Sequence, residues 1–418
     1  MKRLLLLLSL TALTISCAHK AQDTLPESID DNLYRFGVNT SPYEYFNTGE
    51  TPVPAGYEPF YISHYGRHGS RSDWGDDYGE VVKVMEKAKE AGVLTDEGKS
   101  ALHALDTTYK LHNGMNGRLT PLGAREHRQI AGRMYEKYKR VFRNGGSVRA
   151  VSSYVPRCLV SMAAFTGELL SREPGLDISW DTGEAFMNYC SSEDPDEIHD
   201  KARAIVREYA GKHSMDTVAF ARHLFTDEAA ARAAIEVPME DLMYGVIYMA
   251  RVSGAFELDR TLIDLFSTSD LEHFMRTSSL QLYLTQCNSV EFGDIRMAVP
   301  EVDNLVKDFI EKADEAISKG NRAADLRFGH DYQLLAFSSR LGVKGIGERM
   351  TKEEAANWPG WLYTPFAGNL QMIFYKNKSG DVIVKCFINE RETTLIGLPD
   401  GPYYPWEDVK GMFKELEP

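Results

Sequence analysis

Residues 60–71, Phe60-Tyr61-Ile62-Ser63-His64-Tyr65-Gly66-Arg67-His68-Gly69-Ser70-Arg71, decide how this chain is to be read. The first six are mostly aromatic and apolar, and they run into a polar, Gly-containing stretch, the pattern of a buried strand that opens into a loop. In that loop two arginines flank one histidine. Outward from it, Val81, Val82, Met85, Ala88 and Ala91 recur at helical spacing up to Gly92. Val148 to Ser152 reads as a second strand, and Pro156 is placed to open a helix through Leu159, Ala163 and Phe165. Leu326-Arg327-Phe328 reads as a third strand, Gly329-His330-Asp331 as a tight connection, and Tyr332 to Ser339 as a helix start. Leu370–Tyr375 and Val382–Ile388 flank Asn377-Lys378-Ser379-Gly380-Asp381 as a hairpin.

Between these strands, residues 172–320 are mainly helical in pattern. Ser269-x-x-Glu272 has the form of a capping box, and Val302, Leu305, Val306, Phe309, Ala313 and Ile317 make one apolar stripe ending at Gly320. Residues 23–58, rich in Pro, Asn, Asp and Tyr without a period, read as a surface-wrapping lead-in. Strands at both ends with helices between predict an α/β core of residues 23–171 and 321–418 carrying a helical insertion at 172–320. Such sheets place their sites in loops at the carboxyl ends of strands, where both His68 and His330 fall.

The 418 residues are 43% hydrophobic and 26% charged, the composition of an ordinary folded protein. Lys2 and Arg3 precede an apolar run from Leu4 to Ile15 and then Ser16-Cys17, the layout of a secretory signal over residues 1–16. Cys17 stands where a lipoprotein signal places its lipidated cysteine, although Thr14 occupies the position where such signals prefer Leu. A lipid anchor at Cys17 and a plain cleaved signal are both compatible with this layout. Either one predicts export, to the periplasm or outer membrane of a bacterium. Without residues 1–16 the chain holds 45 basic and 61 acidic residues, a net charge of −16, which excludes binding of nucleic acid by bulk charge. Cys158, Cys190, Cys287 and Cys386 have no zinc-site spacing, and in an oxidising compartment they allow one or two disulfides whose pairing is left open.

A phosphoryl group in transfer spreads negative charge over its peripheral oxygens. Its chemistry calls for fixed cationic donors, an in-line nucleophile and an acid for the leaving oxygen. Arginine suits the donors because its planar fork meets two oxygens and keeps its charge. Arg67 and Arg71 provide that pair, Gly69 lets backbone N–H groups approach an anion, and clustered guanidinium groups keep the His68 imidazole neutral and nucleophilic. Taken alone, the run is equally an exposed basic loop.

The wider set of motifs resembles the histidine phosphatase superfamily. Arg67-His68-Gly69-x-Arg71 is similar to its signature, Leu119-Thr120-Pro121-Leu122-Gly123 to a Thr-x-x-Gly segment that follows it, and Tyr154-Val155-Pro156-Arg157 to an arginine opening a helix after a core strand. Phe328-Gly329-His330-Asp331 resembles the late His-Asp motif of its acid phosphatase and phytase branch. Pro365 to Leu370 and Gly401-Pro402-Tyr403-Tyr404-Pro405-Trp406 look most like multiple inositol-polyphosphate phosphatases.

The resemblance implies a three-layer, phosphoglycerate-mutase-like core sheet with helices on both faces plus a helical insertion domain. It implies hydrolysis of a small phosphorylated substrate with no cofactor and no metal. By resemblance His68 forms a phosphohistidine, Arg67, Arg71, Arg157 and His330 bind the phosphoryl oxygens, and Asp331 protonates the leaving group. Inositol polyphosphates are the implied substrates. A sugar-phosphate or broad acid phosphatase is the alternative, and a lipid-anchored protein that captures phosphorylated ligands without turnover is a second.

Three features depart from the pattern. Ser72-Asp73 stand where a proline usually follows the second arginine. Asp76 and Asp77 put acidic charge close in sequence to a pocket for polyanions. Asp331, read as the N-cap of its helix, is held as a carboxylate, the wrong form for an acid. Of the remaining histidines, His64 is assigned to the core, while His103, His112, His127, His199, His213, His223 and His273 are assigned to the surface or helix faces. Cys158, beside Arg157, is read as a small buried hydrophobe.

Overall fold

The computed structural model describes residues 23–73, 78–191, 196–297, 299–399 and 401–414. The expected signal segment 1–16, Cys17 and the acidic pair Asp76 and Asp77 lie outside the described residues. Among the described residues, eight strands form one sheet: β1 (Glu58–Arg67), β2 (Ser147–Ser152), β3 (Ile178–Thr182), β4 (Arg322–Gly329), β5 (Asn369–Lys376), β6 (Val382–Ile388), β7 (Arg391–Thr393) and β8 (Tyr403–Pro405). Their order is β3-β2-β4-β1-β5-β6-β7, with β8 beside β6. β3, β2, β4 and β1 run parallel, and the β5–β6 hairpin adds antiparallel to β1.

Parallel strands covered on both faces must be apolar on both. In β1, Tyr61 and Tyr65 pack with Phe309, Leu334 and Phe337 of the helices Val302–Lys319 and Asp331–Arg340. Ile62 points the other way, toward Ile130, Met162 and Phe165 of the helices Pro121–Lys137 and Pro156–Arg172. The result is the expected three-layer α/β arrangement. Local chemistry sets the helix ends: Thr120 and Pro121 open one helix, Pro156 another, and Gly320, at φ 66°, closes the long stripe from Val302.

A third apolar cluster makes a helical unit beside the core. It draws on two stretches of chain. Met85, Ala88, Leu102 and Leu105 of the helices Tyr78–Glu90 and Asp96–His112 pack against Leu224, Ile235, Leu242, Met243 and Val246. Conversely, the 172–320 segment gives the sheet its edge strand β3 and the helix Val302–Lys319. β3 is silent in sequence because four of its five residues are exposed, so it shows no apolar alternation.

Several local readings change. The capping box uses Ser267 and Asp270, not Ser269 and Glu272, because the helix Thr268–Gln286 begins at Thr268. The lead-in does more than wrap the surface: Phe36 and Val38 are buried in a 3-10 turn, Leu33–Thr40. All four described cysteines are free and buried. His112 and His127 are buried rather than on the surface, His112 against the Tyr78 ring and His127 against Phe165 and Phe328. An imidazole without a motif packs as an aromatic ring, which composition alone does not reveal.

Candidate active site

Strand register assembles the site. Arg67, the last residue of β1, lies opposite Gly329, the last of β4, and Ser152 of β2 lies opposite Phe328. Three parallel strands therefore release their loops at one level: His68 after β1, Ser153 to Arg157 after β2, and His330-Asp331 after β4. All six candidate residues come together there.

His68 is 1% exposed. Its N–H donates to the Gly329 carbonyl (2.9 Å) and its own carbonyl accepts from Ala367 (2.9 Å). Its Nδ1 lies 2.9 Å from the Gly69 carbonyl, which only accepts, so Nδ1 carries the proton and Nε2 keeps its lone pair. Burial, and then the charges of Arg67, Arg157 and Arg71, hold the imidazole well below its usual pKa. The ring is a neutral base with one nitrogen committed to the backbone.

The arginines stand around it. Arg67 donates through Nη1 to the carbonyls of Asn39 (2.5 Å) and Thr364 (2.9 Å), and its Nη2 meets Asp331 at 3.0 Å. Its burial, with Arg71 and Arg157 close by, pulls its pKa down to about 10 even though Asp331 opposes the shift. Phe366 underlies both Arg67 (4.8 Å) and Arg71 (6.0 Å), an aromatic floor that accepts cations. Arg157, in the first turn of its helix, donates from Nη2 to His330 Nδ1 (3.2 Å). Guanidinium never accepts, so His330 carries its proton on Nε2, which faces Ser153 Oγ at 3.2 Å. Burial and the Arg157 charge push His330 down to about 3, so it is neutral as well. Its ring sits edge-on to that of His68, 5.7 Å between centroids.

Asp331 is not the N-cap. His330 takes that place and Asp331 is the first helical residue, where the helix dipole still favours a carboxylate. Its Oδ2 accepts from Asn39 Nδ2 at 2.7 Å and from Arg67. Burial works to raise its pKa, yet Arg67, Asn39 and Arg71 outweigh burial and lower it.

The histidine loop needs its glycines. A Cβ on Gly69 would stand 2.4 Å from the Gly123 carbonyl oxygen, and one on Gly123 would stand 2.3 Å from the Ser70 oxygen. That contact is why the Thr120 to Gly123 segment accompanies the loop. A Cβ on Gly329 would meet Tyr65 Oη at 2.1 Å, the hydroxyl that accepts the His330 N–H. Cys158 is a buried thiol donating to the Gly329 carbonyl at 3.2 Å, with burial raising it to about 11. His64 packs on Phe165 and Phe328, away from the loop.

Sequence reasoning missed four supporting residues. Glu126, 3% exposed, clamps the loop by accepting from Ser70 N–H and Oγ (both 2.7 Å) and from Tyr43 N–H (3.0 Å). A signal existed, because Glu126 falls on the apolar stripe of Gly123, His127, Ile130 and Met134, where a charge is out of place. Ser161 accepts the Gly69 N–H at 3.1 Å, and Ser153 holds His330. Asn39, from the lead-in, lies 292 residues from its partner Asp331 and gives no local signal. Backbone strain brackets the pocket at Val38 (φ 51°) and Ala367 (φ 54°), both beside residues that touch it.

The sequence pattern of the histidine phosphatase superfamily (branch 2) matches residues 66–389. Comparison with curated proteins finds no match. Among solved structures, the fold is similar to the apo form of the multiple inositol polyphosphate phosphatase of Bifidobacterium longum. That likeness is at 18% identity and TM-score 0.73, covering 90% of this chain and 97% of that one. The same protein in complex with phosphate gives a TM-score of 0.72 at 18% identity over the same shares. The phytase of D. castellii is similar at 15% identity and TM-score 0.66, covering 92% of this chain and 85% of that one. The matched pattern takes in most of the chain and every candidate residue from Arg67 to Asp331, so the chain is a phosphoric monoester hydrolase and belongs to branch 2 of the histidine phosphatase superfamily.

Proposed function

We propose that this hydrolase works through a phosphohistidine on His68 and that inositol polyphosphates are its substrates. One observation carries the mechanism: the Gly69 carbonyl fixes the His68 proton on Nδ1, leaving Nε2 unprotonated among Arg67, Arg71 and Arg157. In the first step Nε2 attacks phosphorus, the P–O bond to the alcohol breaks, and Asp331 delivers a proton to the departing oxygen. In the second step water attacks the phosphohistidine, Asp331 takes the water's proton, and phosphate leaves. Arg67, Arg71 and Arg157 hold the peripheral oxygens, and His330, whose two ring nitrogens meet Arg157 and Ser153, acts with them through Arg157. Electrostatic stabilisation by fixed guanidinium groups needs no metal.

The substrate reading leans on the fold likeness to an inositol polyphosphate phosphatase and a phytase. Direct adjacency of His330 and Asp331 favours a second reading, a sugar-phosphate or broad acid phosphatase. A panel of esters separates them: phosphate release from inositol hexakisphosphate is expected to exceed that from hexose phosphates by at least about tenfold in kcat/KM. Comparable rates would hand the assignment to the broad reading.

Lys2, Arg3, the apolar run to Ile15 and Cys17 support export with a lipid anchor at Cys17. In a bacterial host, Cys17→Ala is expected to abolish incorporation of labelled palmitate and move the protein from the membrane to the soluble fraction. Unchanged labelling would exclude Cys17 as the anchor.

A further inference from the structure

We infer that Asp73 and Arg251 are positioning residues that hold Arg71 in the phosphate pocket from the side of the helical unit, an inference that rests on the proposed role of Arg71. Asp73 is 5% exposed and divides its carboxylate. Oδ1 faces Arg71 Nη1 at 3.5 Å. Oδ2 accepts from Arg251 Nε at 3.1 Å, from Arg251 Nη2 and from Tyr78 Oη at 3.2 Å. One oxygen is anchored to the helical unit and the other is aimed at the pocket.

Arg251 is itself well placed. It follows the helix Met239–Ala250, its N–H bonds to the Ile247 carbonyl (3.0 Å), and its guanidinium lies over the Tyr248 ring at 4.5 Å. Its carbonyl lies 3.3 Å from Thr40 Oγ1, next to Asn39, which holds Asp331. The same residue thus touches both Asp73 and the sequence neighbour of Asn39.

The need for such a support follows from charge and flexibility. Arg71 is a long side chain, 12% exposed, placed beside Arg67 and Arg157, so repulsion and rotamer entropy both work to move it outward. Arg71 Nη1 donates to the Ser72 carbonyl at 2.7 Å, and Asp73 supplies the countercharge on the same side. Burial weakens the hold of Arg71 on its proton, and Asp73 is the strongest influence restoring it. A pocket whose cations are already oriented spends less binding energy on ordering them. Asp73, an acidic residue next to a phosphate pocket, therefore strengthens anion binding through Arg71 instead of opposing it.

The test is a double-mutant cycle. Asp73→Asn and Arg251→Ala are made in the wild-type chain and in Arg71→Ala. Binding of inorganic phosphate is read by calorimetry, and kcat and KM are read with p-nitrophenyl phosphate. Each substitution alone is expected to weaken phosphate binding roughly tenfold, as loss of a charged hydrogen bond does. In Arg71→Ala neither weakens it by more than about twofold. Arg251→Lys, which keeps the charge, falls between wild type and Arg251→Ala and serves as the second variant if Asp73→Asn does not fold. Equal losses with and without Arg71, or a drop in thermal midpoint with phosphate affinity unchanged, overturn the inference. Phosphate binding is read without turnover, so an absence of hydrolysis by the wild-type protein would sink the proposed reaction and still leave this cycle decisive.

Discussion

His68→Ala is expected to lower phosphate release by on the order of 10⁴-fold or more, because the residue lost is the proposed nucleophile of a unit whose members act together. The substitution removes a neutral ring, so it leaves no buried charge uncompensated, and the arginines, the Glu126 clamp and the Gly69–Gly123 contact stay in place. Circular dichroism and binding of inorganic phosphate should therefore match the wild type. A second readout is covalent: wild-type protein quenched during turnover should carry phosphate that is lost in acid and kept in alkali, and His68→Ala should carry none. Turnover within about tenfold of wild type would remove His68 as nucleophile.

Asp331→Asn should divide substrates by leaving group. A general acid contributes roughly 10²- to 10⁴-fold where the departing oxygen needs a proton. Release from an alkyl ester such as an inositol phosphate should fall by that range, and release from p-nitrophenyl phosphate by less than about tenfold. Equal losses on both esters would make Asp331 a structural partner of Arg67 only.

The sign of the pH dependence follows from the direction of the shift. Burial raises the Asp331 pKa, but Arg67 and Asn39 lower it by more, so the free protein holds a carboxylate across moderate pH. For the proposed acid role its proton arrives with the ester, whose second ionisation lies at about 6. For alkyl esters kcat/KM should therefore hold below about pH 6 and fall above it. His68, held well below its usual value, adds no loss over that range until the pH is strongly acidic. Because a carboxylate with a depressed pKa stabilises the fold only while it is ionised, that contribution is lost as the pH drops below the ordinary aspartate value of about 4 and through the folded one.

Several features of the fold are local, and local features are legible in one dimension. The apolar run before Arg67, the Pro156 helix start, the stripe from Val302 to Gly320 and the β5–β6 hairpin each follow from periods and caps set by neighbouring residues. The six candidate residues were recognisable for the same reason: each lies in a short motif at a strand end, and residue type alone defines its chemistry. β3 escaped because an edge strand with one buried residue has no pattern to show. The two-part helical unit escaped because amphipathic helices state that they bury a face without stating against what.

The tertiary structure decided everything that depends on pairing across distance. It buried His68 beside Arg157, and it joined Asn39 to Asp331 and Arg157 to His330. It also turned Asp73 from an acidic neighbour of the pocket into a bridge between Arg71 and Arg251. By itself the sequence determined which chemical groups stand at the ends of the strands. The folded chain determined their protonation and direction, because both depend on burial and on partners that lie hundreds of residues away.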